Sequence, residues 1–144
     1  MKRLAVILLI AGLAGCASSG PAPQDVYHRI DPAAPEKAAQ RAPLAGVVQV
    51  RAPAGSGLVS ERPLVWRKAG APRSLQQYNY HYWNEPPPAL VQRALVDHLR
   101  AANTAALVTT ESMRAQPDWV VSGDLLAFEH IAGEAPRVLV DMEA

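Results

Sequence analysis

Among the 144 residues there is one cysteine, Cys16, so no internal disulfide can form and no cysteine metal site can be assembled. Charge of one sign is also scarce. Fourteen Lys and Arg stand against thirteen Asp and Glu, a formal net charge of +1, without the basic face that displaces counterions from nucleic acid. The four histidines, His28, His81, His98 and His130, fall one to a segment, and no His-x-x-x-His pair exists to grip a metal on one helical face. Gly55-Ser56-Gly57 lacks the flanking glycine and lysine of a nucleophile elbow or phosphate loop and reads as a turn. Asp118, Asp124 and Glu129 lie near one segment, where solvated or turn roles outweigh paired-carboxylate catalysis. These gaps argue against an enzyme and against any resident metal or cofactor. Long apolar runs are missing too. The longest, residues 4–13, is about half of the roughly twenty residues that a membrane-spanning helix needs.

What is present at the N-terminus is ordered. Lys2 and Arg3 form a basic start, residues 4–13 an apolar stretch, and Leu13-Ala14-Gly15-Cys16 closes it with small residues before the cysteine, the pattern of a bacterial lipoprotein signal peptide. An ordinary secretory leader that happens to end in cysteine is the alternative. Lipidation is preferred because Cys16 stands at the one position where diacylglycerol transfer and cleavage require it. Cleavage before Cys16 removes 15 of the 144 residues and leaves 129, with Lys2 and Arg3 gone and a balance of 12 basic to 13 acidic side chains. The covalent lipid on Cys16 is then the only attached group. Ala17 is not the aspartate that retains lipoproteins at an inner membrane, which in a Gram-negative host points to the outer membrane, facing the periplasm.

Beyond Cys16, residues 17–24 are rich in Pro, Ser and Gly without bulky apolar groups, so burial cannot repay their ordering. They read as a tether, residues 16–25 in all, before a single domain of residues 26–144. Weak alternation predicts a first strand over residues 26–30, and Val47, Val48 and Val50 a second over 44–51. Residues 58–68 predict a short or edge strand, because Pro63 cannot donate to a ladder. In Tyr78-Asn79-Tyr80-His81-Tyr82-Trp83 the tyrosines fall at every second position, which in a strand makes one face a tyrosine ladder. Three prolines follow, and the pre-proline restriction predicts a helix starting no earlier than Pro88. Val91, Ala94, Leu95, His98, Leu99 and Ala102 recur at helical spacing, so the helix covers residues 88–102 and stops near Asn103. His98, on that stripe, reads as a packed core histidine. A brief strand over 105–109, an alternating strand over 119–129 and a hairpin partner over 137–142 complete the pattern.

Four of these segments carry a resemblance. Tyr27-His28-Arg29-Ile30, Glu61-Arg62-Pro63-Leu64-Val65-Trp66-Arg67, Tyr80-His81-Tyr82-Trp83-Asn84-Glu85-Pro86-Pro87 and Val121-Ser122-Gly123-Asp124-Leu125-Leu126-Ala127-Phe128-Glu129 resemble, in that order, motifs of the ABC-type transport auxiliary lipoprotein family. The resemblance implies an outer-membrane lipoprotein that partners a periplasmic lipid-transport system built on MCE proteins. It also implies some fifty further residues, so the chain is expected to be truncated or a short variant. The expected fold is α+β, a mostly antiparallel sheet of four to six short strands with the helix laid across one face.

Tyrosine and tryptophan offer large contact area at low entropy cost. The segment Tyr78, Tyr80, Tyr82, Trp83, Glu85, Pro86 and Pro87 is therefore the expected partner-binding surface for an MCE-domain protein, with Trp83 also suited to packing under the helix. Ring-like self-association suits a partner of symmetric assemblies. Two roles stay open: a non-catalytic docking component of the transporter, or a stand-alone lipid-binding or envelope-structural lipoprotein.

Overall fold

A computed structural model of the protein describes residues 21–144; the leader and Cys16 lie outside the described residues. Among the described residues nine strands and one α-helix follow in the order β1 (Val26–His28), β2 (Leu44–Val50), β3 (Ala54–Gly55), a 3₁₀ turn (Gly57–Ser60), β4 (Pro63–Lys68), β5 (Gln76–Trp83), α1 (Pro87–Ala101), β6 (Ala105–Thr110), β7 (Trp119–Val121), β8 (Asp124–Ala132) and β9 (Arg137–Glu143). The larger sheet runs β1, β5, β4, β8, with β3 beside the start of β8 and β9 along its other edge; the smaller runs β6, β2, β7. The two are joined because a pair of neighbouring chain segments crosses from one to the other. Arg51 N–H donates to the Val121 carbonyl at 2.9 Å and Ala54 N–H to the Gly123 carbonyl at 2.8 Å, so β2 leads into β3 alongside β7 leading into β8.

The general class is as the sequence suggested, but the sheet is not mostly antiparallel. Only β4 with β5 and β8 with β9 pair antiparallel, whereas β1 with β5, β2 with β6, β2 with β7, β3 with β8 and β4 with β8 are parallel. The physical reason lies in the connections. Two tight hairpins can be read from local turn residues, while strands far apart in sequence must return by crossovers such as α1, and these place neighbours parallel. The larger sheet has six strands, within the expected four to six, but a second sheet of three was not expected. The alternating segment 119–129 is divided at Ser122 and Gly123 into β7 and β8, which belong to different sheets. Pro63 marks no edge strand either: β4 is flanked by β5 and β8, and the proline sits at its first position, where no ladder donor is demanded.

Helix α1 begins one residue earlier than the proline rule predicts, with Pro87 and Pro88 in its first two positions and Pro86, extended at ψ 140°, as N-cap. Missing proline N–H groups cost nothing there, since the first turn has no intrahelical acceptors. The helix ends as expected: Asn103 takes a left-handed φ of 53°, Thr104 N–H closes onto the Leu99 carbonyl at 3.1 Å, and the Asn103 amide donates to the Ala39 carbonyl at 2.7 Å. Replacing Asn103 by alanine should cost about 1.5 kcal/mol through the left-handed backbone and the lost bond, and by glycine about half of that. Urea midpoints of the two variants check the order.

The core beneath the helix joins Val96 to Val48, Val50, Ala105 and Val108, with Leu44, Leu95 and Leu99 at its margin. Its stripe is therefore centred on Val96, and His98 is turned outward and exposed, its ring 3.4 Å from the Ala33 carbonyl, in place of the packed position that spacing alone suggests. The helix is tied to the strands by polar reach as well. Arg100 donates to the Val108 carbonyl from Nε at 3.1 Å and Nη2 at 2.8 Å, while Gln92 Nε2 bridges the Val50 carbonyl at 2.9 Å and Glu111 Oε2 at 2.6 Å. Burial pushes the Glu111 carboxyl up, but hydrogen bonds from backbone N–H groups, its own and that of Ala52, and from Gln92, with the Arg51 charge, outweigh this and hold it below the usual carboxylate range.

Candidate functional site

The aromatic segment does not form a tyrosine ladder. Opposite β4 the register of β5 shifts between the pairs Pro63–Tyr82 and Val65–Gln77, and inside this bulge Tyr80 adopts φ 62°, a conformation uncommon for a bulky residue. The extra residue switches the alternation. Tyr78, His81 and Trp83 share one face, while Tyr82 goes to the other beside Tyr27, ring centroids 5.8 Å apart, and Tyr80 is left 44% exposed.

On the first face the pairing of β1 with β5 brings His28 next to Trp83, and the pairing of β4 and β9 with β8 adds Leu64, Phe128, His130 and Val138. These side chains line a cleft of about 320 Å³. Trp83 packs on Phe128 at 5.1 Å and edge-on to His28 at 6.2 Å; the helix lies instead over β6 and β2, so Trp83 belongs to the cleft. Two polar pairs interrupt the apolar wall. His28 Nε2 faces His81 Nδ1 at 3.1 Å, and the Tyr78 hydroxyl meets His130 Nδ1 at 2.7 Å. Three of the histidines that look scattered in the sequence are thus gathered by parallel strand pairing. Among the described residues no group of three or more His, Cys, Asp or Glu is placed to hold a metal ion.

Behind the cleft, on the opposite face of the sheet, Arg67 Nε donates to Glu129 Oε1 at 2.5 Å, with both side chains largely shielded from solvent. The rest of the expected partner surface is divided. Glu85 accepts from Arg93 Nη2 on the exposed side of α1, and that hydrogen bond, with the carboxylate charge, holds the Arg93 guanidinium above its usual value. Pro86 is exposed at the helix start and Pro87 is buried. Tyr27, 57% exposed, lies under the Arg62 guanidinium at 5.4 Å from the ring centroid. With Tyr80 and Tyr82 it makes an aromatic and arginine patch along β1 and β5, facing away from the cleft. Tyr27 and Arg62 were not among the expected contact residues, although each stands in a motif already singled out.

Taken together, fold and site define an α+β domain that offers an aromatic-lined cleft and a separate aromatic surface patch. The chain belongs to the family of ABC-type transport auxiliary lipoprotein components, whose model matches residues 28–144. Of solved structures, protein XCC0632 from Xanthomonas campestris, assigned to the family-model DUF330, superimposes with a TM-score of 0.65 at 15% identity, covering 81% of this chain and 64% of that one. This chain therefore spans a little under two thirds of that protein's length. A second crystal structure, of an uncharacterized protein, gives a TM-score of 0.54 at 11% identity over 84% of this chain and 80% of the other. At such identities the likeness is one of fold. No curated protein matches the sequence.

Proposed function

We propose that this lipoprotein is anchored through Cys16 in the outer membrane, faces the periplasm, and acts without catalysis as a docking component for the MCE-domain subunit of an ABC-type lipid transport system. The observation that carries the reading is the family match across nearly the whole described domain, joined to a leader that ends at Cys16. The docking surface is the patch of Tyr27, Tyr80, Tyr82 and Arg62, since tyrosine and arginine dominate the energetics of protein interfaces. Residues 26–144 then form the docking domain on a short tether, and self-association multiplies the weak contacts of each copy.

Tyr80→Ala combined with Tyr82→Ala should weaken capture of the purified MCE-domain partner at least about tenfold, the loss of two aromatic anchors, with circular dichroism unchanged. Undiminished capture would remove this surface from the proposal. A second reading, a stand-alone lipid-binding lipoprotein, is favoured by one observation only, the apolar cleft on the other face.

A further inference from the structure

We infer that the cleft binds an anionic amphiphile, a carboxylate or phosphate monoester on a short aliphatic chain, its headgroup held by His28 and His81 and its chain lying against Trp83, Phe128 and Val138. The inference deepens the second reading above and stands apart from docking, which concerns the opposite face of the sheet.

Size comes first. At about 320 Å³ the cleft lies at the lower end of small-molecule sites. It takes about ten carbon-sized groups if each fills about the 30 Å³ of a liquid water molecule. The wall is largely aromatic and aliphatic, with Phe128 buried and Val138 65% exposed at the rim, so an aliphatic chain entering from the rim loses its contact with water along its length.

The headgroup preference follows from the histidine pair. With His28 Nε2 and His81 Nδ1 only 3.1 Å apart, two neutral rings satisfy each other, one donating and one accepting. A proton added to the outer nitrogen of the donating ring leaves that bond in place and makes the pair cationic, a charge that an anionic headgroup beside it neutralises. Histidine is the side chain whose charge changes between about pH 5 and 8. An anion is thus bound more tightly as pH falls through that range.

Few other charges face the pair. Tyr78 of β5 is engaged with His130 of β8. Glu129 borders the cleft but alternates to the far side of β8, where Arg67 of β4 holds it. Arg62, before β4, lies over Tyr27 on that far side. Toward the cleft β1 presents Val26 and His28, β4 presents Leu64 and Trp66 with Lys68 further along, and β9 presents Val138 and Val140. Among the described residues the one carboxylate lining the cleft is Glu129, and its charge is taken up by Arg67.

The test is titration calorimetry on the full chain, produced in the cytoplasm so that Cys16 carries no lipid. Decyl sulfate is the probe, because its charge does not change with pH, and 1-decanol and inorganic phosphate separate tail from headgroup. Decyl sulfate should bind one site at least about tenfold more tightly at about pH 5.5 than at about pH 8. 1-Decanol should bind more weakly than decyl sulfate at the lower pH, with an affinity that is the same at both pH values, and phosphate alone should not saturate. His28→Gln with His81→Gln should abolish the pH dependence. Should that pair disturb β1, the exposed rim provides a second check: Val138→Arg should tighten and Val138→Glu loosen binding several-fold. Equal affinity at the two pH values, equal binding of decanol, saturation by phosphate alone, or indifference to the charge placed at position 138 would each overturn the inference.

Discussion

Gly46→Ala should destabilise the domain by about 3 kcal/mol, combining the cost of a side chain at positive φ with that of overpacking. Gly46 has φ 88°, and a Cβ there would stand 2.1 Å from Asp118 Oδ2. That carboxylate cannot easily withdraw. Asp118 Oδ2 accepts the Val47 N–H at 2.7 Å, the Asp118 N–H donates to the Val47 carbonyl at 3.0 Å, and the indole of Trp119 donates to the Ala45 carbonyl at 3.2 Å. Together they clamp a bulge in β2 at the point where its register with β6 shifts. In a domain of this size the loss should lower Tm by about 10 °C. Asp118→Ala alone removes a charge-assisted bond worth about 2 kcal/mol but opens the space a Cβ needs, so the double variant should cost less than the sum. Calorimetric melting of the four proteins in that cycle checks the coupling; strict additivity would show that the clamp does not exist.

Cys16→Ser should abolish stable membrane attachment. On the proposed acylation, two ester-linked chains and a third on the amine would each contribute about 0.8 kcal/mol per buried methylene, and two or more chains make anchoring stable where one is marginal. The serine chain should therefore fractionate as a soluble or uncleaved precursor form, with mass spectrometry showing no acylated N-terminal peptide. Recovery of that variant in the outer-membrane fraction would show that something other than acylation of residue 16 holds the protein there.

Which parts of this account were legible beforehand follows from the range of the interactions involved. The helix could be placed within a residue at each end, since three- and four-residue spacing, a proline entry and Asn103 at its close are local signals. The valine run of β2 and the hairpin of β8 with β9 were equally readable. Pairing across long connections was not. Nothing near Val26 announces that β1 will lie parallel to β5, nor anything near Val65 that β4 will lie parallel to β8, and these two pairings turn dispersed histidines into one cleft. The bulge at Tyr80 was hidden for another reason. Period-two reading assumes an uninterrupted pleat, and one residue at φ 62° sends Tyr78 and Trp83 to the opposite face from Tyr82. The family resemblance, resting on the order of whole motifs, survived these local errors and agrees with the match over residues 28–144.

The central claim, that a lipid-anchored domain meets a transporter subunit through the patch around Tyr80, is tested most directly by photo-crosslinking in native membranes, with a photoreactive phenylalanine analogue replacing Tyr80. The account predicts a crosslink from position 80 to the MCE-domain subunit, absent when the same analogue replaces His98 on the exposed side of α1. A correctly lipidated protein that yields no crosslink to any transporter subunit from position 80 would contradict it.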